Sequence, residues 1–548
     1  MLFWLIYSHP TKRRTKGMLG FIRKILRFWA QNQDDEQPLS TSSGDEIRPE
    51  LEMNLAYLRE QLGRSPDVII RRFTLGGPGK IGATLVFIDG LTDKTIINQD
   101  ILRPLMIEKE KNPVKSGDGS IIEKLEECLV TTGEIQRTSD CADLIGSILA
   151  GSIALLLEGQ REALIISAPG WETRAIDEPD TEVVVKGPRD GFVETLRTNT
   201  ALLRRRISHP GLTFIPLQVG RHTKTKLNIA YIKGIAKDEL VEEVKRRLQR
   251  IRTDGVLAAG MIEQYIEDAP YSPFPTVGWT ERPDVVAARL LEGRVAIFTD
   301  GSPVVNTVPM LFIENFQSPD DYNFRPYFST TVRWLRYLAF TMSILSPPLF
   351  VALTTYHQEL LPTPLLISVA AAVEGTPFPT VVEVIGMGVV FEILREAGIR
   401  LPRAVGQAVS IVGALVIGEA TVSAGLIGAP TVIVIAFTAI ASFVVPYQNE
   451  AAIMLRLLLT ILSGMFGAFG IICGLLLVLI HLASLRSFGA PYLAPVAPLF
   501  FSVLKDVLLR FPLWAMARRP KAIEPADDRR RPVQPPEPPK VDWKRKKK

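Results

Sequence analysis

The sequence predicts a soluble α/β N-terminal region of two subdomains followed by an α-helical transmembrane bundle. Three observations predict it. Ionisable residues crowd 1–335 and 505–548 but thin out between 334 and 485, where the apolar runs are long. Ahead of that divide, apolar residues recur at helical spacing in some stretches and alternate in others, the mixture expected of packed helices and strands. Beyond it, several runs approach the length that crosses roughly 30 Å of hydrocarbon. Whole-chain averages, 47% hydrophobic and 22% charged, conceal this segmentation.

The first unit, residues 1–49, combines a basic amphipathic stretch with a polar linker. Leu2–Tyr7 is too short for a signal-peptide core, and its basic cluster Lys12-Arg13-Arg14 follows the apolar run instead of preceding it. Met18 opens a second plausible start. The basic amphipathic stretch that follows it either lies on anionic lipid, docks on the neighbouring domain or is disordered. Residues 50–145 form subdomain 1. Leu51, Leu55, Leu58 and Leu62 mark a helix, followed by strands at 67–73 and 83–90, a helical stretch to Met106 and a short helix at 121–129. Residues 146–330 form subdomain 2, which this reading opens with a hairpin turning on Gly159. A helix is expected over 191–206, strands at 213–219 and 225–234, a charged helix over 238–252, and a strand pair turning on Asp300-Gly301-Ser302.

Residues 331–515 form the helical membrane domain, with four to six crossings. The expected spans are 334–356, kinked at Pro347-Pro348, then 404–425, 431–445 and a long 451–485 on which Arg456 snorkels. Two shorter pieces, 363–375 and 380–394, carry Glu374, Glu383 and Glu392 and read as a re-entrant pair or one broken helix. The stretch 492–504 is Pro-rich and ambiguous, and 516–548 is a basic disordered cytoplasmic tail. Lys and Arg flank the 400 loop and fill the tail but are absent from 354–379, so the N-terminal region is predicted to be cytoplasmic.

Composition excludes several classes. A net charge of +5, much of it in the tail, does not argue for nucleic acid. The 3 cysteines and 5 histidines are scattered, so neither a disulfide framework nor a metal site is expected. Gly76-Gly77-Pro78-Gly79-Lys80 lacks phosphate-loop spacing and the Ser or Thr after Lys. No catalytic set is present, and neither an enzymatic activity nor a cofactor is expected.

The polar residues inside the membrane part carry the functional expectations. Glu419 sits amid small and hydroxyl residues of an apolar run, and with Gln407, Ser410, Thr421 and Ser423 it forms a candidate pore or polar pathway. The alternative is a protonated carboxyl bonded to a neighbouring helix. Gly413, Gly418, Ser463, Gly467, Gly470 and Gly474 are candidate helix-packing positions, because small residues let helices approach closely.

An ordered set of blocks then resembles a known family. Gly187–Glu194, Asn199–Ile207, Glu263–Asp268, Ser272–Thr276 and Glu292–Ala296 are followed by Arg333-Trp334-Leu335-Arg336, Glu396–Pro402 and Ile417-Gly418-Glu419-Ala420. Over roughly 50–515 the chain resembles the GerA-type spore germination receptor A-subunit family. The resemblance implies a spore inner-membrane protein assembled with a transporter-like B subunit and a lipoprotein C subunit. It further implies a homo-oligomer acting as a gated ion channel. A non-conducting scaffold and a stand-alone transporter are the alternatives, and the lack of an inverted repeat weakens the last.

Overall fold

The computed structural model describes residues 46–63, 65–75, 81–106, 121–128, 134–170, 179, 182, 184–402, 418–499, 504–516, 519–520, 523 and 525–527. Sheet 1 is built from β1 (Val68–Leu75), β2 (Ile81–Ile88), β3 (Ile135–Thr138), β4 (Ile153–Leu157) and β5 (Ala163–Ile166), in the spatial order β1-β2-β4-β5-β3. Every pairing is antiparallel. Alternate side chains of β2 and β4 enter two different cores. Val86, Ile88, Ala154 and Leu156 meet α1 (Leu51–Gln61) and α3 (Cys141–Leu149). Leu85, Phe87, Leu155 and Leu157 meet the helical stretch 96–106 and α2 (Ile121–Cys128). Both faces are covered, which explains why the central strands read as continuous apolar runs.

Sheet 2 repeats this plan. Its strands β6 (Leu212–Val219), β7 (Thr225–Ile232), β8 (Gly278–Thr280), β9 (Val295–Thr299) and β10 (Val305–Val308) lie in the order β6-β7-β9-β10-β8. Helices α4 (Leu196–Arg206) and α7 (Pro283–Leu291) cover one face, and α5 (Asp238–Arg250) and α6 (Ala259–Ile266) the other. Element order and strand order therefore match sheet 1 throughout, and the spacing between equivalent strand starts drifts by only two residues, from Val68/Leu212 to Ala163/Val305. The likeness extends to side chains. Asn54 in α1 accepts from Arg48 N at 2.9 Å and donates to Arg48 O at 2.6 Å. Asn199 in α4 does the same to Val193, at 2.8 and 2.6 Å. Gly151 (φ 95) and Gly293 (φ 97) make equivalent left-handed turns into β4 and β9. The α/β region is an internal duplication.

This architecture corrects two boundaries. Gly146 lies inside α3, and the β4–β5 hairpin fills the centre of sheet 1, so subdomain 1 extends to about Gly170 and not to 145. Helix α4 starts at Leu196, not 191, because residues 191–194 are extended and Asn199 holds them there. A buried ion pair joins the halves: Arg204 Nε lies 2.7 Å from Asp67 Oδ2.

The C-terminal region is helical: α8 (Pro326–Thr355), α9 (Thr363–Glu374), α10 (Thr380–Arg400), α11 (Gly418–Ser423), α12 (Ala429–Ser442) and α13 (Asn449–Ser484). Among the described residues, two helical stretches are long and apolar enough to cross a membrane, Pro326–Thr355 and Pro446–Ser484. Pro347 and Pro348 are buried inside α8 without ending it.

The second long stretch is not one rod. Gly467 has φ 61 and ψ −142, which breaks α13. A Cβ on Gly470 would lie 2.2 Å from Leu462 O, and one on Gly474 2.5 Å from Leu459 Cδ2. In a straight helix those pairs would stand roughly 12 and 22 Å apart. The arms 449–466 and 468–484 are thus folded back on each other, with Gly470 and Gly474 at the contact. At the tip, Tyr356 donates to Gly464 O and Met465 O at 3.1 and 3.0 Å, and Ala468 N–H donates to His357 Nε2 at 3.2 Å. These bonds occupy backbone groups freed by the break. Where the sequence predicts a single long span, the structure has a helical hairpin.

Replacing Leu459 and Gly474 by cysteine, with Cys128→Ser, Cys141→Ser and Cys473→Ser, tests this fold-back. The pair is expected to form an intramolecular disulfide on mild oxidation, read as a gel shift reversed by reductant. A straight helix gives none.

Candidate functional site

The first arm of α13 begins, and the second arm ends, against the α/β region. Tyr447, just ahead of the first arm, packs on Trp279 at 5.1 Å between ring centroids and donates to Glu182. At the end of the second arm, His481 Nε2 lies 2.9 Å from Ser272 Oγ, and its ring stacks near Phe274. Phe274 is buried with Ile344, Ala451, Leu455, Leu482 and Tyr492, so one apolar core crosses the junction. The resemblance blocks Glu263–Asp268 and Ser272–Thr276 thus lie where the two regions meet.

The start of α8 carries the most concentrated polar contacts. Arg333 is fully buried, with Nη2 3.1 Å from Asp321 Oδ2 and Nη1 3.1 Å from Asp506 Oδ1. Arg336 shares Asp321 at 2.8 Å, and Tyr322 donates to Asp506 at 2.8 Å. Trp334 Nε1 and Tyr337 Oη donate to the Leu508 and Val507 carbonyls at 2.6 and 3.0 Å. Burial pushes the Asp506 carboxyl up, opposed by Arg333, and pushes the Tyr322 hydroxyl well up. The end of the α/β region and the first apolar helix, which adjoin in sequence, are tied here to the distant segment after the last apolar helix. Sequence reading singled out Arg333 but missed Asp321 and Asp506. The available signal was a basic i, i+3 pair opening an apolar run close behind Asp320-Asp321.

Inside the helical region, Glu383 is 2% exposed and its Oε2 accepts from Gly428 N at 3.2 Å and Thr431 Oγ1 at 3.0 Å, capping α12. Glu392 Oε1 lies 2.6 Å from Arg456 Nη2. Arg456 is 9% exposed, so it does not snorkel: a carboxylate one helix away holds it inward.

The predicted pathway residues fall elsewhere. Glu419 and Ser423 are exposed on α11, and Thr421 is half-buried with its hydroxyl on Gly418 O at 3.0 Å. Gln407, Ser410 and Gly413 lie outside the described residues. Gly418 is buried, facing Val432. Ser463 is buried and donates to Pro348 O at 2.6 Å. The structure brings Ser463, Gly467, Gly470 and Gly474 together in the hairpin and does not join them to Glu419.

A long paired α/β region fused through a buried ionic knot to an apolar helical hairpin defines a two-part protein, in which the soluble part grips the apolar one. The family model described as Bacillus/Clostridium GerA spore germination protein matches residues 56–522, and the chain belongs to that family. Spore germination protein KA of Bacillus subtilis (strain 168) is 42% identical over 497 residues, covering 90% of this chain and 89% of the relative. The uncharacterized membrane protein YfkQ of the same organism is 42% identical over 479 residues, covering 86% and 91%. The crystallised N-terminal domain of the A subunit of the Bacillus megaterium spore germinant receptor GerK3 is 36% identical, with a TM-score of 0.40, over 49% of this chain and 98% of that domain. Its family makes the chain a germination protein and not an enzyme.

Two measurements probe the junction. Arg333→Gln leaves Asp321 and Asp506 short of their buried cation and is expected to cost about 3–5 kcal/mol, read as a lower Tm of the detergent-solubilised chain. Glu263, beside Glu267 and Glu450, is pushed up to about 7 by burial and by those carboxylates, with Asn306 opposing. An acid raised on folding favours the protonated native state, so its contribution fades as pH climbs from about 4.5 to 7. Glu263→Gln is expected to flatten that part of the stability profile and to gain about 1–2 kcal/mol at pH 8.

Proposed function

We propose that the chain is the membrane subunit of a spore germinant receptor complex, coupling nutrient sensing to ion release as an oligomeric gated channel. The observation that carries the membrane reading is inverted burial. Ile433, Phe437, Ile440, Phe469, Ile472 and Leu476 face outward, each more than half exposed, while Glu383, Thr431, Thr438, Ser442, Thr460 and Ser463 are buried. Such a surface suits lipid, and polar or small residues between helices suit close packing within it.

Directions follow from the contacts. Helix α8 leaves the α/β region and ends at the hairpin tip, α10 and α12 return from the Val381 and Glu383 end, and the arms of α13 go up and back. With a crossing through 404–425, six spans bring both ends of the bundle to the α/β side. Arg395, Arg400 and Arg486 lie toward that end, and residues 357–394 contain neither Lys nor Arg, which favours a cytoplasmic α/β region. On this reading a B subunit and a lipoprotein C subunit detect the germinant with this chain. The knot at Arg333 passes their state to the helices. Glu419, exposed on one subunit, faces the shared pathway of an oligomer together with Gln407, Ser410, Thr421 and Ser423. A scaffold without conduction is the second reading, supported by the capping role of Glu383, which shows that a carboxyl in this bundle can be purely structural.

Reconstitution in liposomes separates them. Gated current that falls about tenfold or more in Glu419→Gln, with oligomer size unchanged, is the expected result. Electrical silence of an intact oligomer in the presence of its partner subunits removes the channel.

A further inference from the structure

Between α10 and the first arm of α13 lies a cleft of about 650 Å³, with Pro347, Gly388, Ile435 and Thr460 among its walls. Five charged side chains line it: Glu392, Arg395, Glu396, Arg400 and Arg456. Glu392 Oε1 accepts a hydrogen bond from Arg456 Nη2 at 2.6 Å, and its Oε2 stands 2.6 Å from Arg395 Nη2 as an ion pair without hydrogen-bond geometry, so two cations share one anion. Arg400 contributes no further imbalance, because Glu396 pairs with it at 2.6 Å. Arg395 Nε and Nη1 are buried yet have no partner among the described residues. Leaving buried donors of a charged group open is costly, and a guanidinium presents such donors in a fork that matches a phosphate.

We propose that this cleft binds the phosphate of an anionic phospholipid. Arg395 donates to it through its open N–H groups, Arg456 adds positive charge, and the apolar walls take part of an acyl chain. The position suits that occupant: Arg456 lies nearer the start of its arm at Asn449 than the tip at Gly467, hence on the α/β side of the bundle. The inference rests on the membrane reading above, and basic pockets between helices at that depth suit anionic headgroups.

The test uses the full chain in neutral detergent, with native mass spectrometry and Tm as readouts. Phosphatidylglycerol is expected to bind and raise Tm, phosphatidylcholine to do neither, and millimolar inorganic phosphate not to compete. Arg395→Gln is expected to weaken phosphatidylglycerol binding by about tenfold or more, with Arg395→Lys intermediate and the remote Arg252→Gln unchanged. Both Arg395 variants must elute as the wild type does, and the lysine variant keeps the test open if the glutamine variant misfolds. Equal binding of both lipids, or wild-type affinity in a folded Arg395 variant, overturns the site. Competition by inorganic phosphate overturns its assignment to lipid and places a free anion there. Failure of the membrane reading is distinguished separately, by release of the chain from membranes in alkaline carbonate.

Discussion

The structure turns on a single buried cation. Arg333 stands where the chain leaves a water-compatible fold for an apolar one, and a guanidinium there is tolerable only because Asp321 and Asp506 meet it from two sides. Those partners come from the end of the α/β region and from the segment after the last apolar helix. Once the pair forms, the first helix, the soluble region and the returning chain have fixed relative positions. Phe274, Tyr447 and His481 then complete the same junction with apolar and hydrogen-bonded contacts.

Such a junction suits transmission more than recognition. The charged groups around Arg333 are paired with one another, and an apolar core runs from Phe274 and Phe312 of the α/β region into the helices. A displacement of α6 or of the 268–276 segment has a direct mechanical route to both arms of the hairpin. The carboxylates Glu263, Glu267 and Glu450 repel across the same boundary, so the native arrangement there holds a modest electrostatic load that protonation relieves. The duplicated α/β plan has a clear asymmetry in this respect: sheet 2 and its helices make the contacts with the apolar region, while sheet 1 is attached to sheet 2 through Arg204 and Asp67.

Much of the fold was legible. Alternating runs gave β6 and β7, short apolar runs and turn residues gave β1, β2 and the two hairpins, and helical spacing gave α1 and α5, because in these elements packing and local propensity agree. The duplication escaped notice because its two copies share few identities. Asn54 with Asn199 and Gly151 with Gly293 are the visible traces, each fixed by a backbone requirement and not by the apolar pattern. The hairpin in α13 was illegible for a different reason. No proline or charge interrupts 457–480, and only the backbone of Gly467 distinguishes a fold-back from a bend. Arg456 misled because snorkelling is the expectation for a lone cation, and its partner Glu392 lies far away in sequence.

The central claim is that the α/β region and the apolar helices move as one body held at Arg333. Spin labels at Gln264 on α6 and at Glu359 beside the hairpin tip, in a chain freed of native cysteines and placed in lipid nanodiscs, report on it directly. A single narrow distance distribution that broadens on Arg333→Gln is the predicted result. A broad distribution in the unaltered junction would contradict it.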